Sequence, residues 1–255
     1  MSPSPGLEIV AEKLARRTDI TQHDRAAIIA LPHTISRLRP SGKLIGEGAH
    51  PSHCSFILSG FAFRDKIVRS GARQITAVML PGDFVDLPHL FLGIADQGVH
   101  AMTDLVAACI EAEPLRRLAL DHPAVARALW VEASIDAAIN REWIVNVGRR
   151  EAIVRVAHLL CEFALRTARA GLSGGDGFEL PMTQEQMGDA VGLTAVHVNR
   201  VLRALTEMGL LKREGRFYRS ADWKRLQDFA DFSPVYLYME HAELAARQQG
   251  SRWAA

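Results

Sequence analysis

The stretch that most restricts the fold runs from Leu180 to Leu211, LPMTQEQMGDAVGLTAVHVNRVLRALTEMGLL. It contains two helix starts. Thr183 is followed three residues later by Gln186, the spacing of a capping box, in which side chains satisfy the orphan N–H groups of a first turn. Met187, Ala190 and Val191 give this helix one apolar side, and Gly192 breaks it. Thr194 can cap a second helix. There Val198, Val201, Leu202 and Leu205 form an inward stripe, while Val196, Asn199, Arg200 and Arg203 recur at i, i+3, i+4 and i+7 on the other side. Two helices joined by a short glycine turn make a helix-turn-helix.

A second helix of this kind fits the major groove of DNA, about 12 Å wide, and the outward residue types suit that place. Arginine makes bidentate contacts to guanine, asparagine to adenine, and valine can touch a thymine methyl. His197 lies at the edge of the same face. The following GLLKREGRFYRS reads as strand, turn, strand, which is a wing. Over residues 195–219 there are six basic and two acidic residues, a local charge of +4 in a chain whose total is +1. Positive charge is therefore concentrated where phosphates would lie. Expected DNA contacts are Thr194, Val196, His197, Asn199, Arg200 and Arg203 on the helix, with Arg216 and Arg219 on the wing.

The rest of the 255 residues change texture twice. Residues 7–30 read as helical. From Leu38 to about Pro114, short apolar runs such as FILSGFAF, QITAVMLP and LVAACIEAEP are cut by turn signals at roughly ten-residue intervals, the pattern of a β-sandwich or roll. Residues 124–147 contain no Gly or Pro and predict a helix of about 35 Å. Few strong charges line it, so one flank can pack on the roll and the other on an identical helix from a second chain. Burial within one domain is the alternative. Trp130 and Trp143 on this helix are expected to be packing residues, and Gly148 a hinge before a further helix with Ile153, Val156, Leu159, Leu160 and Phe163 on one face. SGGDG at 173–177 reads as a loop.

These features resemble the Crp/Fnr family of bacterial transcription regulators over almost the whole chain. TQEQMGDAVGLTAVHVNRVLRAL is similar to that family's helix-turn-helix; GEG, FILSG and PGDF resemble the turns of its cyclic-nucleotide-binding-type β-roll. The resemblance implies an α+β protein: a β-roll sensor-like domain over 1–123, a dimerisation helix over 124–147, a winged helix-turn-helix over 148–232 and a C-terminal extension over 233–255. It implies a homodimer on an inverted-repeat operator, with double-stranded DNA and RNA polymerase as partners and no enzymatic activity.

The departures bear on the effector. Cyclic-AMP-binding members carry Gly-Glu-Leu after PGDF and an Arg-Ser pair further on for the cyclic phosphate. Here the first is Asp86-Leu87-Pro88, and Val99 and His100 stand where Arg and Ser would be expected. Without the bidentate arginine, a cyclic phosphate loses its main electrostatic partner. Cyclic AMP is therefore not expected, and the effector is left open, with Asp86 and His100 as candidate contacts. Where the family often has Glu one turn before the retained Arg200, this chain has Val196, so the half-site should differ at that base pair.

Three cysteines, Cys54, Cys109 and Cys161, form no CxxC pair, and an iron–sulfur cluster is not expected. Cys109 and Cys161 read as core thiols. HPSHC offers His50, His53 and Cys54 as weak metal or haem candidates in a loop between strands. No cofactor is expected overall. The N-terminus lacks a secretory pattern and nowhere do 18 apolar residues run together, so a cytoplasmic, membrane-free setting is expected. The competing function is a small-molecule- or metal-binding sensor or enzyme in which the helix-turn-helix is only a fold element. No Ser-His-Asp or paired-carboxylate pattern supports it. The C-terminal residues FSPVYLYMEHAELAARQQGSRWAA are expected to form a short helix covering the C-terminal domain, with a partner-binding tail as the alternative.

Overall fold

The computed structural model describes residues 6–173 and 177–238. They divide into two compact units between Asp136 and Ala137.

The first unit opens with two helices, α1 (Glu8–Ala15) and α2 (Gln22–Ile29), both within the stretch 7–30 that reads as helical. The break has a local cause. Thr21 and Asp24 form a capping box, which restarts the helix after Thr18. The strands β1 (His33–Leu38), β2 (Lys43–Ile45), β3 (His53–Ser59), β4 (Ala62–Ile67) and β5 (Arg73–Met79) follow. After them come the short helix α3 (His89–Leu92) and strands β6 (Gly98–Ala101) and β7 (Leu105–Glu111). They pair as two antiparallel sheets, in orders β1-β7-β3 and β2-β6-β4-β5. Ile57, Met79, Val99, Ala101 and Leu105 fill one core of this β-roll. The other core packs α1 and α2 against Phe56, Ala108 and Ile110. The FILSG turn needs its glycine: Gly60 has φ +81°, and a Cβ there would lie 2.0 Å from the Asp104 carbonyl oxygen.

Helix α4 (Ala112–Asp121) was not anticipated, because Pro114 read as the end of a strand. Proline is tolerated in a first helical turn, where its missing N–H would have had no partner. Helix α5 (Pro123–Arg149) begins on proline and runs straight through Gly148. Gly148 is thus not the hinge; the break falls at Arg150 and Glu151, before α6 (Ala152–Arg169). One helical glycine costs only about 1 kcal/mol, which packing overrides. Of the two tryptophans expected to pack, Trp143 is buried within the chain, whereas Trp130 is 76% exposed there.

The second unit contains the end of α5, then α6, β8 (Gly177–Glu179), α7 (Gln184–Val191), α8 (Ala195–Glu207), β9 (Lys212–Glu214), β10 (Phe217–Arg219) and α9 (Trp223–Phe229). A 3₁₀ turn at Pro234–Leu237 follows. The wing has three strands, in order β8-β10-β9; β8 lies where only the end of a loop had been read. Between α6 and this sheet the Phe178 ring stacks on Tyr218 at 5.8 Å and meets Phe163 at a tilt at 5.7 Å. Of the helix expected over the C-terminal residues, the part beyond Tyr238 lies outside the described residues; up to there the chain forms only the 3₁₀ turn.

Candidate DNA-reading face

Both caps form as the spacing predicts. The Thr183 hydroxyl accepts from the Gln186 N–H, and the Gln186 side chain accepts from the Thr183 N–H at 2.8 Å. The Thr194 hydroxyl accepts from the His197 N–H at 3.2 Å. Between them Gly192 sits at φ +67°, the left-handed conformation that ends α7. Gly188 allows the tight turn: a Cβ there would lie 2.4 Å from the Leu193 carbonyl oxygen. Val198, Val201, Leu202 and Leu205 are buried, and this fixes which side of α8 faces out.

That outward side carries Val196 (64% exposed), His197, Asn199, Arg200 and Arg203. Their situations differ. Asn199 Nδ2 donates to Gln184 Oε1 of α7 at 3.2 Å, which leaves its carbonyl and second amide hydrogen for a base. Arg203 is tied to Glu207 one turn on, at 2.9 Å. Arg200 has no hydrogen-bond or ion-pair partner among the described residues, so its five donors are uncommitted. Arg216 projects from the wing turn at Gly215–Arg216 and is exposed, while Arg219 pairs with Glu214 on the neighbouring strand. Arg213 lies over the Tyr218 ring and donates to the Gly215 carbonyl oxygen, which stiffens the turn.

The effector candidates in the roll are already engaged. Asp86 is 1% exposed and accepts from the Ser55 N–H at 2.7 Å. Burial pushes its carboxyl up to about 6, even though Ser55 and the Cys54 thiol hydrogen-bond the charged form. Burial also pushes the Cys54 thiol up. Val99 is wholly buried. His100 Nδ1 lies 3.1 Å from the buried carboxylate of Asp65, with its ring stacked on Phe63. Asp86 and His100 thus serve different partners. The metal candidates also part company: His50 Nδ1 lies 3.0 Å from the Gly93 carbonyl oxygen, and His53 Nδ1 lies 2.8 Å from Ser52 Oγ. Cys54 points into the core. His53 and Cys54 begin β3 and do not lie in a loop. Among the described residues no three His, Cys, Asp or Glu side chains gather as a metal site requires. Of the expected core thiols, Cys161 is buried and Cys109 only half-buried.

Residues 154–229 match the Crp-like helix-turn-helix domain, and residues 36–122 match the cyclic nucleotide-binding domain. The chain is 32% identical to the transcriptional activator protein FnrL of Cereibacter sphaeroides over 177 residues, covering 68% of this chain and 70% of that protein. The chain belongs to the Crp/Fnr family. This Crp/Fnr chain is also 25% identical over 190 residues to the nitrogen fixation regulation protein FixK of Azorhizobium caulinodans, covering 73% and 74% of the two. Its fold is similar to that of FixK2 from Bradyrhizobium japonicum, with a TM-score of 0.71 and 27% identity over 78% of this chain and 98% of that one. It is a DNA-binding transcription regulator built from a β-roll, a long helix and a winged helix-turn-helix.

Two pairs in this regulator escaped the sequence reading. Gln184 of α7 reaches Asn199, fifteen positions on, and only the relative placement of two helices reveals it. Arg64 of β4 is 3% exposed and grips Asp136 of α5 with both Nη atoms, one at 2.9 Å, while also contacting Met79 Sδ. An arginine in the strand run AFRDKI was the available signal, since arginine is almost never fully buried unpaired.

Proposed function

We propose that the regulator works in the cytoplasm as a homodimer that activates transcription from inverted-repeat operators, with RNA polymerase as its protein partner. The observation that carries the DNA half of this reading is the outward face of α8. Arg200 is open there, with Val196 and Asn199 on the same side and a capped helix N-terminus beneath them. Arg200 reads a guanine, Asn199 an adenine, and Val196 a thymine methyl, while Arg216 and Arg219 hold phosphates.

The dimer half rests on α5. Arg127, Trp130, Ser134, Ala137, Arg141 and Ile144 are exposed or partly exposed along its length, spaced alternately by three and four residues, the period of a helix–helix seam. Trp130 and Ile144 leave large apolar surface in water, 76% and 72% exposed, which a second copy of the same face would cover. No helix among the described residues is long and apolar enough to cross a membrane. That FnrL bears the name of a transcriptional activator supports the direction of regulation. The roll does not answer to cyclic AMP in this reading, because Val99 and His100 are committed to the core and to Asp65.

Light scattering of the purified protein, alone and with a duplex selected from random sequence, tests the assembly. A dimer on an inverted repeat with half-site centres about 10 bp apart is expected. A stable monomer at micromolar concentration on and off DNA contradicts it.

A further inference from the structure

The break between α5 and α6 is closed over by residues from the far end of the winged domain. Glu162 of α6 is 1% exposed, and its carboxylate accepts three donors. Trp143 Nε1 of α5 donates at 3.0 and 3.2 Å, Arg166 at 3.2 Å, and the Tyr236 hydroxyl at 2.8 Å. One carboxylate therefore ties the long helix, α6 and the 3₁₀ turn together. Beside it the buried His158 ring stacks on Tyr236 at 6.0 Å and meets Phe232 edge-on at 5.2 Å. Burial and the Arg150 charge push His158 down to about 3, so the ring packs uncharged. Burial and the Glu162 carboxylate push the Tyr236 hydroxyl well above its ordinary range, so it remains a donor. Arg150, in the break itself, donates to Glu142 of α5 at 2.6 Å and to Asp231 at 3.2 Å.

A bend joined only by the Arg150–Glu151 backbone would let α6, and the recognition helix packed on it, swing about the end of α5. Here Trp143 with Glu162 and Asn146 with the Arg155 carbonyl oxygen brace the bend directly, and the far end of the domain reinforces them, Tyr236 on Glu162 and Asp231 on Arg150. We infer that Asp231, Phe232 and Tyr236 form a clasp that fixes the angle between the long helix and the DNA-binding domain, and that this clasp sets the half-site spacing the regulator accepts. The inference rests on the homodimer reading, since spacing has meaning only when two recognition helices are joined through their α5 helices. The clasp residues are positioning residues; none of them touches DNA in this account.

The test uses the full-length protein and a half-site selected by it from random duplexes. Inverted repeats of that half-site are made at the optimal spacing and with one base pair added or removed. Wild type should lose at least tenfold in affinity on either altered spacing. Tyr236→Phe keeps the ring on His158 and loses only the hydroxyl. Asp231→Asn alters a side chain that is 79% exposed, so it leaves the core untouched. In each variant the penalty for altered spacing should shrink to threefold or less, with affinity for an isolated half-site unchanged. If both variants discriminate spacing as sharply as wild type, the clasp does not set the angle. If wild type itself is indifferent to spacing and binds one half-site as a monomer, the dimer reading falls and the clasp role falls with it.

Discussion

Two arginines show how differently the two regions use the same side chain. Arg64, inside the roll, is 3% exposed and held by Asp136. Arg200, on the recognition helix, is exposed and uncommitted. Two other buried acids of the roll follow Arg64: Asp65 is taken by His100 and Asp86 by Ser55. A polar group taken out of water must find its partner within the protein. A side chain that stays in water keeps its donors for a ligand. Arg64, Asp65 and Asp86 are turned inward in the roll, whereas Arg200 at the centre of the recognition face is turned outward.

The sharpest way to break this contrast is to remove a partner. Asp136→Ala leaves the buried Arg64 guanidinium without its carboxylate and should destabilise the first unit by about 3–5 kcal/mol. Replacing both, Arg64→Met with Asp136→Leu, should recover most of that loss. Urea unfolding of the three variants checks it; a loss below about 1 kcal/mol from Asp136→Ala would mean the pair is not a committed one.

Asp86 gives a smaller effect with a pH signature. Its carboxyl sits at about 6 in the folded protein against about 3.9 in an unfolded chain. Between those values the folded state holds a proton that the unfolded state has lost. Stability therefore falls as pH rises from about 4 to about 6, by roughly 2–3 kcal/mol in all, and is flat above that. Asp86→Asn should raise the melting temperature at pH 8 and change it little at pH 3.5. Equal shifts at both pH values would refute the assignment.

The mildest effect belongs to the outward region. Thr194→Ala removes one cap acceptor and should cost about 1 kcal/mol of stability, because only a single N–H of the His197 backbone loses its partner. Denaturant titration of the second unit's tyrosine and tryptophan signal measures it, and a cost above 3 kcal/mol would mean that Thr194 does more than cap.

What could be read in advance follows the same division. The helix-turn-helix was legible because its determinants are local: Thr183 and Gln186 three apart, Gly192 at the turn, and one 3.6-residue stripe of buried valines and leucines. The roll's turns were legible for the same reason. The Arg64–Asp136 pair was not, since its partners lie 72 positions apart and no periodicity links them. The strand β8 is three residues long, too short for any alternation to register. Residue type alone did not separate Trp143, buried within the chain, from Trp130, exposed on the outer face of α5. The Gly148 hinge was misread because glycine marks a helix end only where the left-handed conformation or a close approach is needed, and neither occurs there.

The central claim is that α8 reads bases while the wing grips phosphates. Salt titrations of Arg200→Ala and Arg216→Ala on a specific and a scrambled duplex test it most directly. Arg200→Ala should cost about 1–3 kcal/mol on the specific duplex, relax preference at one base pair per half-site, and barely change binding to the scrambled one. Arg216→Ala should weaken both alike and lower the salt slope by about one unit. Equal losses on both duplexes from Arg200→Ala would make α8 a backbone clamp and contradict the claim.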